Sequence, residues 1–175
     1  NNGDASLYAM TDDGFIANSN ISAETGSASL MASLIDNSSI LGAAEISVLA
    51  GILSNSSLSS FGTVGVVAGE ANNSDIAAMG DVTLSGGSLN NVTVSTASAI
   101  IGSGIVGNII GGSYVATGDI TFTAANLISG ASFDGSADVT LAASGNIELV
   151  NVKANDAATL TSAAGIDGST VISNN

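Results

Sequence analysis

The feature that most constrains this chain is a repeat of fixed period. Ala28-Ser-Leu30-Met-Ala32, Ile46-Ser-Val48-Leu-Ala50, Val64-Gly-Val66-Val-Ala68 and Val82-Thr-Leu84-Ser-Gly86 follow one another at 18-residue intervals. Asn37-Ser-Ser-Ile40, Asn55-Ser-Ser-Leu58, Asn73-Ser-Asp-Ile76 and Asn91-Val-Thr-Val94 keep the same interval. A period this short marks a solenoid, in which each repeat buries its apolar face only by stacking on its neighbours.

Apolar and polar residues alternate within Ile46-Ser-Val48 and Val139-Thr-Leu141, the pattern of a strand with one side inward. The density of Ser, Thr, Asn, Gly and β-branched residues works against helix. Short strands recurring without tight Asn-Gly hairpins do not make an antiparallel meander, so each coil must lie parallel on the one before. The sequence therefore predicts an all-β, right-handed parallel β-helix (β-solenoid) of about nine rungs of 17–23 residues, its hand set by the usual crossover rule. Residues 1–175 read as a single segment of it, part of a longer array or filament.

The first rung carries Ala5, Leu7, Ala9, Ile16 and Ile21 inward; the fifth carries Val82, Leu84, Gly86, Leu89 and Val94. Rung six reads Ala99, Ile101, Ser103, Val106 and Val115, and rung seven Ile120, Phe122, Ala124, Leu127 and Phe133. The column Leu7, Leu30, Val48, Val66, Leu84, Ile101, Phe122, Leu141 and Leu160 is expected to fill the centre. Beside it the small column from Ala9 through Ala32, Ala50, Ala68, Gly86, Ser103, Ala124 and Ala143 to Ser162 suits a corner. One rung buries about four apolar side chains, roughly 6–10 kcal/mol, against about 1–2 kcal/mol per residue of backbone ordering. A lone coil cannot fold.

Asn18, Asn37, Asn55, Asn73 and Asn91 share one position, three residues before an inward apolar side chain. Asn tolerates the left-handed backbone of a tight corner, and stacked amides can bond along the axis. This structural ladder is expected to lapse after Asn91, with Gly130 and Gly168 taking over the turn. Two stretches exceed the template, Met10 to Phe15 and Asn108 to Tyr114; excursions of this kind are where solenoids place function.

Composition narrows the function. Fifteen acidic residues face one basic one, Lys153, giving a net charge of −14. Phosphate backbones need Lys and Arg clusters, so no nucleic-acid partner is expected, and anionic membrane surfaces are equally disfavoured. The uncharged run from Ala97 to Ala116 keeps the repeat's phase and its glycines, so membrane insertion is not expected. Without Cys there are no disulfides or thiolate metal sites, and the absence of Pro suits continuous sheet. The opening Asn1-Asn2-Gly3-Asp4 shows no signal peptide and suggests an interior or processed piece.

No His is present to serve a nucleophilic triad, and no catalytic residue or cofactor is assigned. Paired carboxylates could act on a glycosidic bond, but Asp12/Asp13 and Asp119/Asp138 lack aromatic or basic neighbours. Asp81, Asp119 and Asp138, with Glu45, share the position before the first inward residue. Their stacking could hold Ca²⁺ loosely or simply form a solvated edge, the reading preferred here, so no metal is assigned. Thr83, Thr121, Thr140 and Thr159 form an outward column that Ser29, Ser47, Gly65 and Ile100 interrupt; β-propensity explains it better than ice binding. Asn20, Asn37, Asn55, Asn72 and Asn91 begin Asn-x-Ser/Thr, which Asn-Ser-Ser rungs generate by themselves.

Gly80-Asp-Val-Thr-Leu-Ser-Gly86, Gly118-Asp-Ile-Thr-Phe-Thr-Ala124 and Ala137-Asp-Val-Thr-Leu-Ala-Ala143 resemble the repeats of filamentous-haemagglutinin-type exoproteins. That resemblance implies a β-helical shaft of a bacterial adhesin or contact-dependent toxin exported by two-partner secretion. The function expected is a non-enzymatic structural shaft, extracellular or at the cell surface, or a filament subunit. Its expected partners are neighbouring coils or stacked identical subunits, and a host or cell-surface glycan. Two other classes stay open: a polysaccharide-active β-helix enzyme and an ice- or carbohydrate-binding module.

Overall fold

The structure, a computed structural model, describes residues 3–8 and 14–174. Ala9, Asp12, Asp13 and most of the first excursion therefore lie outside the described residues. Among those described there are 23 strands and no helix, and every strand pairing is parallel. The strands form two ladders, one of 14 strands and one of nine, stacked as a β-solenoid of about nine turns.

Register explains why like residues pile up. In the first sheet Leu7 pairs with Leu30, Leu30 with Val48, Val48 with Val66, and Val66 with Leu84. In the second, Ile21, Ile40, Leu58, Ile76 and Val94 follow one another. A one-residue slip would turn each set out to water, so the alternation itself holds the register. The inward side chains of both sheets form one continuous core, with Leu30, Val48, Val66, Leu84, Phe122 and Leu141 all buried. At the ends, Leu7 is 41% exposed and Leu160 half-buried, because each has a neighbouring coil on one side alone.

Coil six departs from the expected phase. Val82 pairs with Ile100 and Leu84 with Gly102, and the register then shifts so that Gly86 meets Ile105. Ile100 and Ile105 are buried, whereas Ile101 and Val106 are 38% and 69% exposed. Ile101 therefore does not belong to the central column, and Ala99, Ser103 and Val106 are not rung six's inward set. The glycine at 102 has a steric cause: a Cβ there would meet the Phe122 ring at 2.0 Å. Phe122 fills the space that coil six vacates.

Two smaller corrections follow from the same coil. Tyr114, not Val115, enters the core, paired with Val94 and Phe133, and one coil on Ile128 is buried where Leu127 is only half-buried. Coil six does carry two extra residues, but not at Asn108 to Tyr114, where Ile109-Ile110 stays on the ladder. One sits in the bulge at Ser103-Gly104, where Gly104 takes φ +65°. The other enters the corner between Ile105 and Ile109 and recurs in later coils. With Ile100 in phase, successive coils advance by 23 residues from Ala5 to Ala28, by 18 from there up to Ile100, then by 20 to Ile120 and by 19 to Val139 and to Ala158. The 17-residue rung was an artefact of starting coil six at Ala99.

Candidate functional site

Four features of the surface and corners could carry function. At the first, all five expected asparagines adopt the left-handed backbone, with φ between 46° and 53°. Gly111, Gly130 and Gly168 continue the corner, as does Leu149 at φ 54°; Leu149 has no sequence signal, since branched residues avoid this region. The amides do not form one unbroken ladder. Asn37 Nδ2 donates to Asn18 Oδ1 at 2.6 Å and Asn91 Nδ2 to Asn73 Oδ1 at 3.4 Å. Asn55 Nδ2 instead donates to Asp36 Oδ1 and to Ser54 Oγ. A second amide step runs from Asn90 to Asn72 at 2.8 Å.

Next to this corner lies a buried hydroxyl ladder that pattern reading missed. Ser38, Ser56 and Ser74 are each under 5% exposed. Each Oγ donates to the carbonyl two residues back, at Asp36, Ser54 and Asn72. Each also accepts an amide from the previous coil, from Ser19, Ser38 and Ser56. The hydroxyls thus satisfy amide donors the tight corner would otherwise strand, and share their carbonyl acceptors with the Asn18, Asn37 and Asn55 amides. The signal was the first Ser of Asn-Ser-Ser, read only as turn composition. Val92 takes the position in coil five and interrupts the ladder; the arrangement recurs in coil nine, where Ser169 Oγ donates to the Asp167 carbonyl and accepts from the Val150 amide.

The acidic edge has a job within the fold. Asp4 accepts from the Ser27 amide at 2.8 Å, Asp81 from Ala99 at 3.1 Å, Asp119 from Asp138 at 3.2 Å and Asp138 from Ala157 at 2.9 Å. Each carboxylate caps an amide of the next coil. Asp81 also accepts a short bond from the Ser98 hydroxyl, and that bond, then the Ala99 amide, holds its pKa below the usual carboxylate range. Among the described residues, no three acidic side chains gather as a metal-binding group. The stacked pair Asp119/Asp138 is joined through a backbone amide, Asp138 N–H donating to Asp119 Oδ1.

The second sheet's outer face carries the one basic side chain. Lys153 Nζ meets both oxygens of Asp134 on the neighbouring coil at 3.0 Å, with both side chains substantially exposed; such a pair contributes little to stability. Beside it runs a shallow groove of about 180 Å³, lined by Ser132, Phe133, Asn151, Val152 and Thr170 among others. Its hydroxyls, amide and ion pair can make directional hydrogen bonds to a hydroxylated ligand.

Inside the same coils, Tyr114, Phe133 and Phe122 form a cluster, with Tyr114 stacked on Phe133 at 5.0 Å and edge-on to Phe122 at 4.7 Å. Tyr114 Oη is buried without a hydrogen-bond partner, and burial pushes its pKa well above the usual tyrosine value. No helix among the described residues is long and apolar enough to cross a membrane. Set against protein-family models, curated proteins and solved structures, the chain gives no match, so the assignment that stands is architectural: a parallel β-solenoid repeat protein.

Proposed function

We propose that this β-solenoid is a non-enzymatic structural shaft of a secreted or cell-surface exoprotein of the filamentous-haemagglutinin type, or a subunit of an extracellular filament. The observation that carries the reading is the uninterrupted ladder: from Leu7 to Leu160, coil follows coil in register, and almost every described residue serves a strand or a corner. An assembly of this kind transmits length. Of the carboxylate pairs an enzyme could use, Asp119 and Asp138 are engaged in capping backbone amides, which supports a structural role over catalysis.

The exposed side chains of coil nine fit the same role. Ile166 and Val171, in register with Ile147 and Val152, are 49% and 46% exposed. A further coil, from the same polypeptide or a second copy, would bury them. If the shaft also adheres, the adjoining polar groove lined by Asp134, Ser136, Lys153, Asn155 and Asn174 is the place for a glycan, since its polar groups match sugar hydroxyls.

The test is the mass of the native polypeptide, its shape in electron micrographs, and antibody labelling of intact cells. A thread tens of nanometres long and labelled from outside is expected. A compact particle of this chain's own mass, retained inside the cell, overturns the proposal.

A further inference from the structure

The solenoid shows three outward faces, and charge is distributed unevenly among them. The second sheet's face carries Asp75, Asp134 and Lys153. The short strands at the corner carry Asp36, Glu70, Glu148 and Asp167. The first sheet's two outward columns carry none. One runs through Ser29, Ser47, Gly65, Thr83, Ile101, Thr121, Thr140 and Thr159; the other through Met31, Leu49, Val67, Ser85, Thr123, Ala142 and Thr161. In a chain of net charge −14, this is a long strip without a carboxylate. Its N-terminal coils are apolar, with Leu49 and Val67 nearly half exposed.

We propose that this face packs against the same face of a second copy, with the two solenoids side by side and their coils running in the same direction. Area supports it. Nine strands at ~4.8 Å spacing and about 16 Å of strand give roughly 600 Å² per copy, or about 1,200 Å² in all, the lower bound for a stable interface. Charge selects the partner face, because either of the other two faces would bring carboxylates such as Asp75 or Glu70 out of water against a strip that has no cation to pair with them. Charge also selects the direction. The acidic edge of Glu45, Asp81, Asp119 and Asp138 flanks the strip on one side only, and the corner with Gly51 and Gly69 flanks the other. A two-fold axis along the solenoid sets the acidic edge over a corner whose turn residues carry, among those described, the single carboxylate Glu70, and the apolar coils over their own copies. The opposite direction sets acid over acid and Leu49 over threonine. The contact is isologous and closes at two copies, so it adds thickness rather than length.

Light scattering on the eluting chain between about 10 and 100 µM is expected to give twice the monomer mass. X-ray scattering should show an unchanged maximum dimension and a thicker cross-section. Leu49→Glu and Thr121→Glu each place two carboxylates in the contact and should weaken the dimer at least about 100-fold while leaving a folded, cooperatively melting monomer. Thr121 is already exposed on a strand, so it carries the test if the Leu49 variant does not fold. Ser95→Glu on the second sheet and Val171→Asp at coil nine should leave the dimer intact, which separates it from end-to-end stacking. Spin labels at Ala163 should lie within about 25 Å of each other; nine coils of ~4.8 Å put them beyond about 35 Å in the opposite direction, which overturns the parallel arrangement. A wild-type chain that stays monomeric at 100 µM, a dimer of doubled length, or a dimer indifferent to both face variants overturns the pairing. So does a monomer that slows ice growth, which would give the strip to a water lattice instead.

Discussion

Coils two to five and coils seven to nine are built from the same rung, yet they turn one corner differently. In the first group a single strand runs round it: Ala28–Asp36, Glu45–Ser54, Thr63–Asn72 and Val82–Asn90 are nine or ten residues long. In the second group the strand breaks in two, as Ile120–Ala124 and Ile128–Ser129, then Val139–Ala143 and Ile147–Glu148. The inward residues flanking the corner are three apart at Ala68 and Ala71, but four apart at Ala124 and Ile128. One added residue thus exchanges a bent strand for a turn, and the 18-residue coil becomes one of 19. Both corners bring backbones close: a Cβ on Gly69 would meet the Gly51 carbonyl at 2.6 Å, and one on Gly145 the Asn126 carbonyl at 2.7 Å. The tight group also holds the asparagine and buried-serine ladders, and the looser group the aromatic core. A solenoid can therefore change its cross-section within a coil, provided the inward columns stay in register.

The joint between the groups is the most fragile place to test this. Phe122→Ala removes the ring that fills the space beside Gly102 and should cost about 3–5 kcal/mol, read by chemical denaturation. Gly102→Ala should cost about 1–3 kcal/mol by overpacking against the ring. Combined with Phe122→Leu it should cost less than the sum of the two, because the variants share one space; strict additivity would show that the glycine is not there for the ring. Gly69→Ala should cost about 1–3 kcal/mol, while Gly165→Ala, whose nearest neighbour lies 3.9 Å away, should stay within about 0.5 kcal/mol. Equal costs would show that backbone approach from the neighbouring coil does not set the penalty.

Ser56→Ala strands the Ser38 amide at the tight corner and should cost about 1–3 kcal/mol. Leu149→Gly should raise stability by about 0.5–1 kcal/mol, since it relieves a left-handed branched residue; a loss would mean that the exposed leucine packs on something. The smallest effects concern pH. The Asp81 pKa is lowered in the folded state, so its contribution is present above the unfolded value and is lost as pH falls through the folded one; Asp81→Asn should flatten the acid limb of a melting-temperature profile. The Tyr114 pKa is raised, so its contribution is complete below the unfolded value near 10 and declines as pH rises beyond it. Tyr114→Phe should remove that decline.

What the sequence made legible was whatever repeats with a side chain to mark it. The period, the parallel stacking and the left-handed asparagines all follow from residues recurring every 18 positions, and the core column was read correctly wherever it was apolar. Coil six defeated the reading because its central position is empty. Gly102 leaves no apolar mark, and of the adjacent pair Ile100-Ile101 the second continued the alternation from Ala99. The phase returns only with Ile105, after a bulge whose sequence, Ser103-Gly104, resembles any turn. Tyr114 is missed because its neighbour Val115 reads as the apolar member of the pair. The capping by Asp81 and Asp138 needed three-dimensional register, since each accepts from an amide 18 or 19 residues away.

Because each coil is bonded only to the coils before and after it, the response to tension depends on direction. Pulled from its two ends, the chain would unzip one turn at a time rather than shear as a block. Each released turn of 18–20 residues stretches to about 60–70 Å of slack chain where it had occupied ~4.8 Å of rod. A fibre of such turns would yield in small, regular increments, dissipating a sudden load long before it parted.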